Sequence, residues 1–85
     1  MDVEKIIKSI KVAMVALHYS GQKIENDIES HRVRISIKNE DGLVYSESYS
    51  YERIKELLMA VDDINRLGIY LVGEMLNRAK KKRII

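Results

Sequence analysis

The chain has 85 residues, a formal charge of +2, and no Cys, Pro, Trp or Phe. That length allows one domain with a thin core, burying about two-thirds of the surface exposed by the unfolded chain. The absence of Cys excludes disulfides, thiolate catalysis and Cys-ligated zinc, and a 46% hydrophobic content suits a globular domain rather than a disordered one.

The charge is unevenly placed. Residues 78–83, RAKKKR, hold five of the fifteen basic residues and no acid, leaving ten basic against thirteen acidic residues elsewhere, a balance of −3. Residues 1–77 thus read as a single mildly acidic domain and 78–85 as a basic tail. Met1-Asp2-Val3-Glu4 puts acid where a signal peptide needs base, and the longest apolar run, Val12 to Leu17, is far below a membrane span. A cytoplasmic protein without membrane contact is expected. Heavy use of Lys, Glu and Ile fits a thermophile.

In chain order, Val3, Ile6, Ile7, Ile10, Ala13, Met14 and Leu17 recur at helical spacing. They predict an amphipathic helix over about residues 2–19, with Asp2 and Glu4 at its positive end and Ser20-Gly21 as its stop. Residues 22–30, anchored only by Ile24 and Ile28, read as a connector that begins a strand early. Val33, Ile35 and Ile37 then alternate with Arg32, Arg34, Ser36 and Lys38, the period of a half-buried strand. Asn39-Glu40-Asp41-Gly42 supplies a type I turn with Gly42 in the left-handed bulge position. This turn sets Ile37 opposite Tyr45, Ile35 opposite Glu47 and Val33 opposite Tyr49. Leu43, Tyr45, Tyr49 and Tyr51 join the apolar face, where Glu47 is the misfit.

Ser50 caps a helix beginning at Tyr51. Ile54, Leu57, Leu58, Val61 and Ile64 keep the same helical phase as Leu71, Val72, Met75 and Leu76 across Gly68. One helix over about 51–80 is the reading favoured over a break at Gly68. It would be about 45 Å long, overhanging a domain of about 30 Å. Its far apolar half would then need a partner, and a two-stranded hairpin leaves both edges open as well. A homodimer, or a heterodimer with a paralogue, answers both needs. The interface expected on this helix is Leu57, Val61, Ile64, Asn65, Gly68, Leu71, Val72 and Met75. Gly68 there permits close backbone approach and Asn65 fixes register; the competing reading has Gly68 accommodating a side chain of the first helix. Met59, Leu67 and Tyr70 form a smaller strip, a second candidate interface.

Catalytic chemistry is not legible, and no enzyme activity, metal or cofactor is expected. His18 and His31 lack metal-ligand spacing, with His18 the more suited to a structural role. Asp62-Asp63 diverge around a helix, and Gly68 and Gly73 precede Glu74 instead of the Lys of a phosphate loop. The nucleic-acid candidates are Arg78, Lys80, Lys81, Lys82 and Arg83 of the tail and the strip Arg32, Arg34 and Lys38. Cations also favour a helix C-terminus for electrostatic reasons alone, and the strip's strand face lacks aromatics for base stacking. Ile84 and Ile85 are apolar for a solvated tail and fit docking on the body or a partner.

The hairpin RVRISIKNEDGLVYSESYS followed by the helical stretch ELLMAVDDINRLGIYLVGEML resembles the small dimerising subunit of the archaeal and eukaryotic KEOPS complex. That assembly makes threonylcarbamoyladenosine on tRNA. In the family the helix likewise starts soon after the second strand and carries an Arg in its middle, a position Arg66 matches. The family has a strand before its first helix where this chain is helical from Asp2, which points to a divergent paralogue. The resemblance implies a non-catalytic subunit that pairs with itself or a paralogue and docks the catalytic ATPase-like subunit. The resulting expectation is an α+β domain of order helix, strand, strand, long helix, acting as a dimerising or adaptor subunit. The alternative is a small nucleic-acid-binding protein that uses the tail and the arginine strip.

Overall fold

The structure, a computed structural model, describes residues 2–17, 23–38, 42 and 44–83. His18, the Ser20-Gly21 stop, Asn39 to Asp41 of the turn, Leu43 and Ile84-Ile85 lie outside the described residues. The fold is α+β, in the order α1 (Val3–Ala16), β1 (Lys23–Asp27), β2 (Arg32–Lys38), β3 (Val44–Ser50), α2 (Tyr51–Val61) and α3 (Ile64–Lys81).

Helix α1 starts where Asp2 caps it, its Oδ1 accepting the Lys5 N–H at 3.2 Å. It buries Ile6, Ile7, Ile10, Ala13 and Met14, the apolar positions of its period. The three strands form one antiparallel sheet in sequence order. Pairing of β2 with β3 sets Ile37 opposite Tyr45, Ile35 opposite Glu47 and Val33 opposite Tyr49, the register that the alternation and turn predict. Gly42 has φ +85°, the left-handed conformation expected of it. One sheet face buries Val33, Ile35, Ile37, Tyr45 and Tyr49 under the helices, while Arg32, Arg34, Lys38, Val44, Ser46 and Ser48 are exposed on the other.

Two details differ from the sequence expectation. The connector holds a full strand, β1, five residues long and paired with β2 from Lys23↔Ser36 to Asp27↔Arg32. Its inward Asn26 accepts a hydrogen bond from the Tyr51 hydroxyl, so a polar residue occupies a position where apolar alternation would be sought.

The second difference is the helix over 51–80, which is two helices. Ser50 Oγ accepts the Arg53 N–H at 3.1 Å and opens α2 as anticipated. The helix then stops at Asp62, left-handed at φ 53°, whose N–H donates to the Leu58 carbonyl at 2.8 Å. Asp63 caps α3, its Oδ1 accepting the Asn65 N–H at 2.9 Å. Aspartate is among the few residues that enter the left-handed region at modest cost and is a preferred N-cap, so the acidic pair serves both helix ends. Helix α3 continues unbroken through Gly68, as the conserved phase requires. The boundary drawn after residue 77 falls within α3, and Ala79 is fully buried.

Gly68 lies where α3 crosses α1 of the same chain. A Cβ at Gly68 would overlap the carbonyl and hydroxyl oxygens of Ser9. The Ser9 hydroxyl, buried at this crossing, donates to the Ile64 carbonyl at 2.6 Å and accepts the Gly68 N–H at 3.1 Å. The close approach expected of Gly68 is thus made to the first helix, and no second chain is needed to explain it.

Candidate interaction surfaces

The principal extents, 36 × 26 × 21 Å, leave no room for a 45 Å helix, and the overhanging stripe is not there. Leu57, Leu71, Val72 and Met75 are buried in the chain's own core, and Val61 and Ile64 are half-buried against it. Asn65 is exposed, beside Val12 in an open groove that Lys5, Lys8, Ser9 and Ile64 also line. The break at Asp62 gives α3 its own direction, letting its apolar face cover α1. The same break disperses the second strip: Met59 and Tyr70 are exposed but Leu67, between them in sequence, is fully buried.

With the stripe covered, the two sheet edges, β1 and β3, are left; β1 carries the charged Lys23, Glu25 and Asp27, and β3 is the edge with little charge. Strand β3 pairs with β2 over seven consecutive positions without a bulge, and among the described residues nothing bonds to its other side. An unpaired row of N–H and C=O groups is a template for another strand. Charged side chains usually guard such edges, and here the strand has one, Glu47, turned toward the helices.

Glu47 is not a bare charge. Arg78, four turns into α3, donates from Nε to Oε1 at 2.8 Å and Oε2 at 2.9 Å. Its Nη2 lies 2.7 Å from Oε1 and also donates to the Tyr49 hydroxyl at 2.8 Å. The Tyr45 hydroxyl donates to Oε2 at 2.8 Å, and Glu74, one turn before Arg78, adds a weaker ion pair at 3.8 Å. Partial burial pushes the Glu47 carboxyl upward, but the hydrogen bonds from Arg78 and Tyr45 outweigh it and hold the pKa below its usual value. Burial, then the nearby Glu47 charge, pushes the Tyr49 hydroxyl up to about 12. The cluster binds the end of α3 to the sheet. Glu47 stood out in the sequence as a misfit, but nothing there pointed to Arg78, 31 residues away.

This geometry removes Arg78 from the nucleic-acid candidates. Lys82 also reaches back, its Nζ 5.3 Å from the centroid of the Tyr45 ring. Lys80, Lys81 and Arg83 are exposed. Arg32, Arg34 and Lys38 project outward from β2, the central strand, and none forms an ion pair with a described residue. Register places Asp27 opposite Arg32 and Glu25 opposite Arg34 on one side, and Ser50 opposite Arg32 and Ser48 opposite Arg34 on the other. His31, at φ 53°, stacks on the Tyr51 ring with centroids 5.5 Å apart.

Among the described residues no group of His, Cys, Asp or Glu could hold a metal ion, and no helix is long and apolar enough to cross a membrane. No protein-family model, curated protein or solved structure matches this chain.

Proposed function

We propose that this chain is a non-catalytic dimerising or adaptor subunit that joins a second chain of the same fold by strand pairing at β3. The observation carrying this reading is the seven-residue edge paired on one side only. Its single charge is already matched by Arg78, so a partner strand meets no uncompensated carboxylate. A second copy placed antiparallel about Glu47 sets Tyr45 opposite Tyr49 and Ser46 opposite Ser48, aromatic with aromatic and hydroxyl with hydroxyl, both favourable cross-strand pairs. The result is a continuous six-stranded sheet with two-fold symmetry. The setting we propose is the one the KEOPS resemblance implies, a cytoplasmic tRNA-modifying assembly in which the partner is another copy or a paralogue and the helical layer docks the catalytic subunit.

The test is sedimentation of the purified chain, with affinity capture from the native organism. A dimer, or stoichiometric recovery of a second small α+β subunit, supports the proposal. Ser46→Lys with Ser48→Lys puts lysines opposite lysines across the two-fold axis and should yield folded monomers. A chain that is monomeric in isolation and captures no stoichiometric partner overturns the proposal.

A further inference from the structure

We infer that the outer face of the sheet is a track for the sugar-phosphate backbone of single-stranded RNA, running along β2 and β3. Arg32, Arg34 and Lys38 lie on one straight strand, with neighbouring outward positions about 6.8 Å apart, twice the rise per residue. All three are exposed and none has a carboxylate of the described residues within ion-pair distance, with Asp27 and Glu25 standing opposite Arg32 and Arg34 in register. Beside them on β3 lie hydroxyls: Ser48 faces Arg34 and Ser46 shares a 2.7 Å hydrogen bond with Ser36, while Ser50, opposite Arg32, is engaged as the cap of α2. Guanidinium, ammonium and hydroxyl groups are the side chains that contact phosphate and sugar.

The basic tail reaches the same end of the sheet from the helical side. Lys82 rests over Tyr45, a core-face residue that pairs with Ile37, while Lys38 pairs with Val44 on the outer face. The exposed Lys80, Lys81 and Arg83 therefore add positive potential near that end of the sheet but are not part of the outward row. Glu25 and Asp27 of β1 stand opposite Arg34 and Arg32, so the open side of the row is the one toward β3.

The outward side chains of the described sheet residues include no aromatic ring, so bases are not stacked and sequence is not read on this face. A short row of three cations on one strand suits a flexible single strand, whose phosphates can conform to it, better than a stiff duplex. Serine hydroxyls both donate and accept, matching the ribose 2′-hydroxyl that DNA lacks. This inference does not depend on the pairing proposed for β3.

Fluorescence anisotropy with a labelled 15-nucleotide oligouridylate tests it. The variant Arg32→Ala/Arg34→Ala/Lys38→Ala should bind at least tenfold more weakly at low salt. Its slope of log affinity against log salt should be shallower by about 2, roughly 0.7 for each lost phosphate contact. The control Lys5→Ala/Lys8→Ala/Lys11→Ala removes the same charge from α1 and should change affinity less than threefold. Equal losses in the two alanine triples, or no binding by the unaltered protein, overturn the inference. Equal affinity for the matching oligodeoxyuridylate refutes the role of the 2′-hydroxyl. Displacement by polyglutamate at equal charge concentration refutes an RNA ligand in favour of an acidic protein partner.

Discussion

Gly68→Ala is the substitution on which helix propensity and packing disagree most sharply. Propensity alone favours Ala inside a helix by about 1 kcal/mol. The added methyl would, however, overlap two oxygens of Ser9, and one of them is a backbone carbonyl that cannot rotate away. The two helices would have to separate at their closest point. Overpacking of this kind costs about 1–3 kcal/mol or more, and the buried Ser9 bonds to Ile64 and Gly68 are stretched for about 1 kcal/mol further. The net expectation is a loss of about 1–3 kcal/mol, from a total of about 4–13 kcal/mol for a domain this size. At about 4–8 °C per kcal/mol, the melting temperature should fall by about 5–25 °C. Thermal unfolding followed by far-ultraviolet circular dichroism at several protein concentrations reads the effect. Gly73→Ala is the internal control, because nothing lies within 4 Å of a Cβ there, and it should stabilise by up to about 1 kcal/mol. If Gly68→Ala is as stable as the unaltered chain, the helix crossing at Ser9 is wrong.

Acidification tests the Glu47–Arg78 pair. The folded-state pKa of Glu47 is lowered, so its stabilisation is present above the ordinary value of 4.5 and is lost as pH falls through the folded value. Arg78→Met should cost about 1–2 kcal/mol at neutral pH. That is less than for a fully buried pair, because the Arg78 side chain is 41% exposed and screened by solvent. Burial of Glu47 is then opposed only by the Tyr45 and Tyr49 hydroxyls, so in urea titrations the variant's stability should fall less steeply on acidification between pH 6 and 4 than that of the unaltered chain. At the α2–α3 junction, Asp63→Ala should lose about 1 kcal/mol with its cap, whereas Asp62→Gly should be neutral or slightly stabilising because Gly enters the left-handed region freely. Equal losses at the two positions in the same titrations would contradict the division of roles.

What the sequence disclosed follows from how local each signal is. The β2–β3 register was legible because alternation and a five-residue turn constrain the same residues, and Gly42 has the conformation the turn demands. The continuity of α3 through Gly68 was legible in the phase that Ile64 shares with Leu71, Val72, Met75 and Leu76. The break at Asp62 was masked because the apolar phase happens to continue across it, although Asp-Asp between two apolar turns is also what a helix stop followed by an N-cap looks like. Strand β1 was obscured because its inward Asn26 is matched by Tyr51, a contact 25 residues distant. The covering of Leu71 and Met75 by the chain's own elements, and the pairing of Glu47 with Arg78, depend on helix directions that periodicity does not encode. The proposed interface moves accordingly from the last helix to the sheet edge, while the arginine strip stays where alternation put it.

The central claim, strand pairing at β3, can be tested by disulfide trapping, since the chain has no cysteine of its own. In an antiparallel pair about Glu47, position 46 of one copy lies directly opposite position 48 of the other. Opposed residues have Cα atoms about 4.5–5.5 Å apart, within the range a disulfide spans. An equimolar mixture of Ser46→Cys and Ser48→Cys chains should cross-link under mild oxidation, faster than either variant alone and far faster than Lys23→Cys on β1. Cross-linking no faster in the mixture than with Lys23→Cys would contradict pairing at this edge.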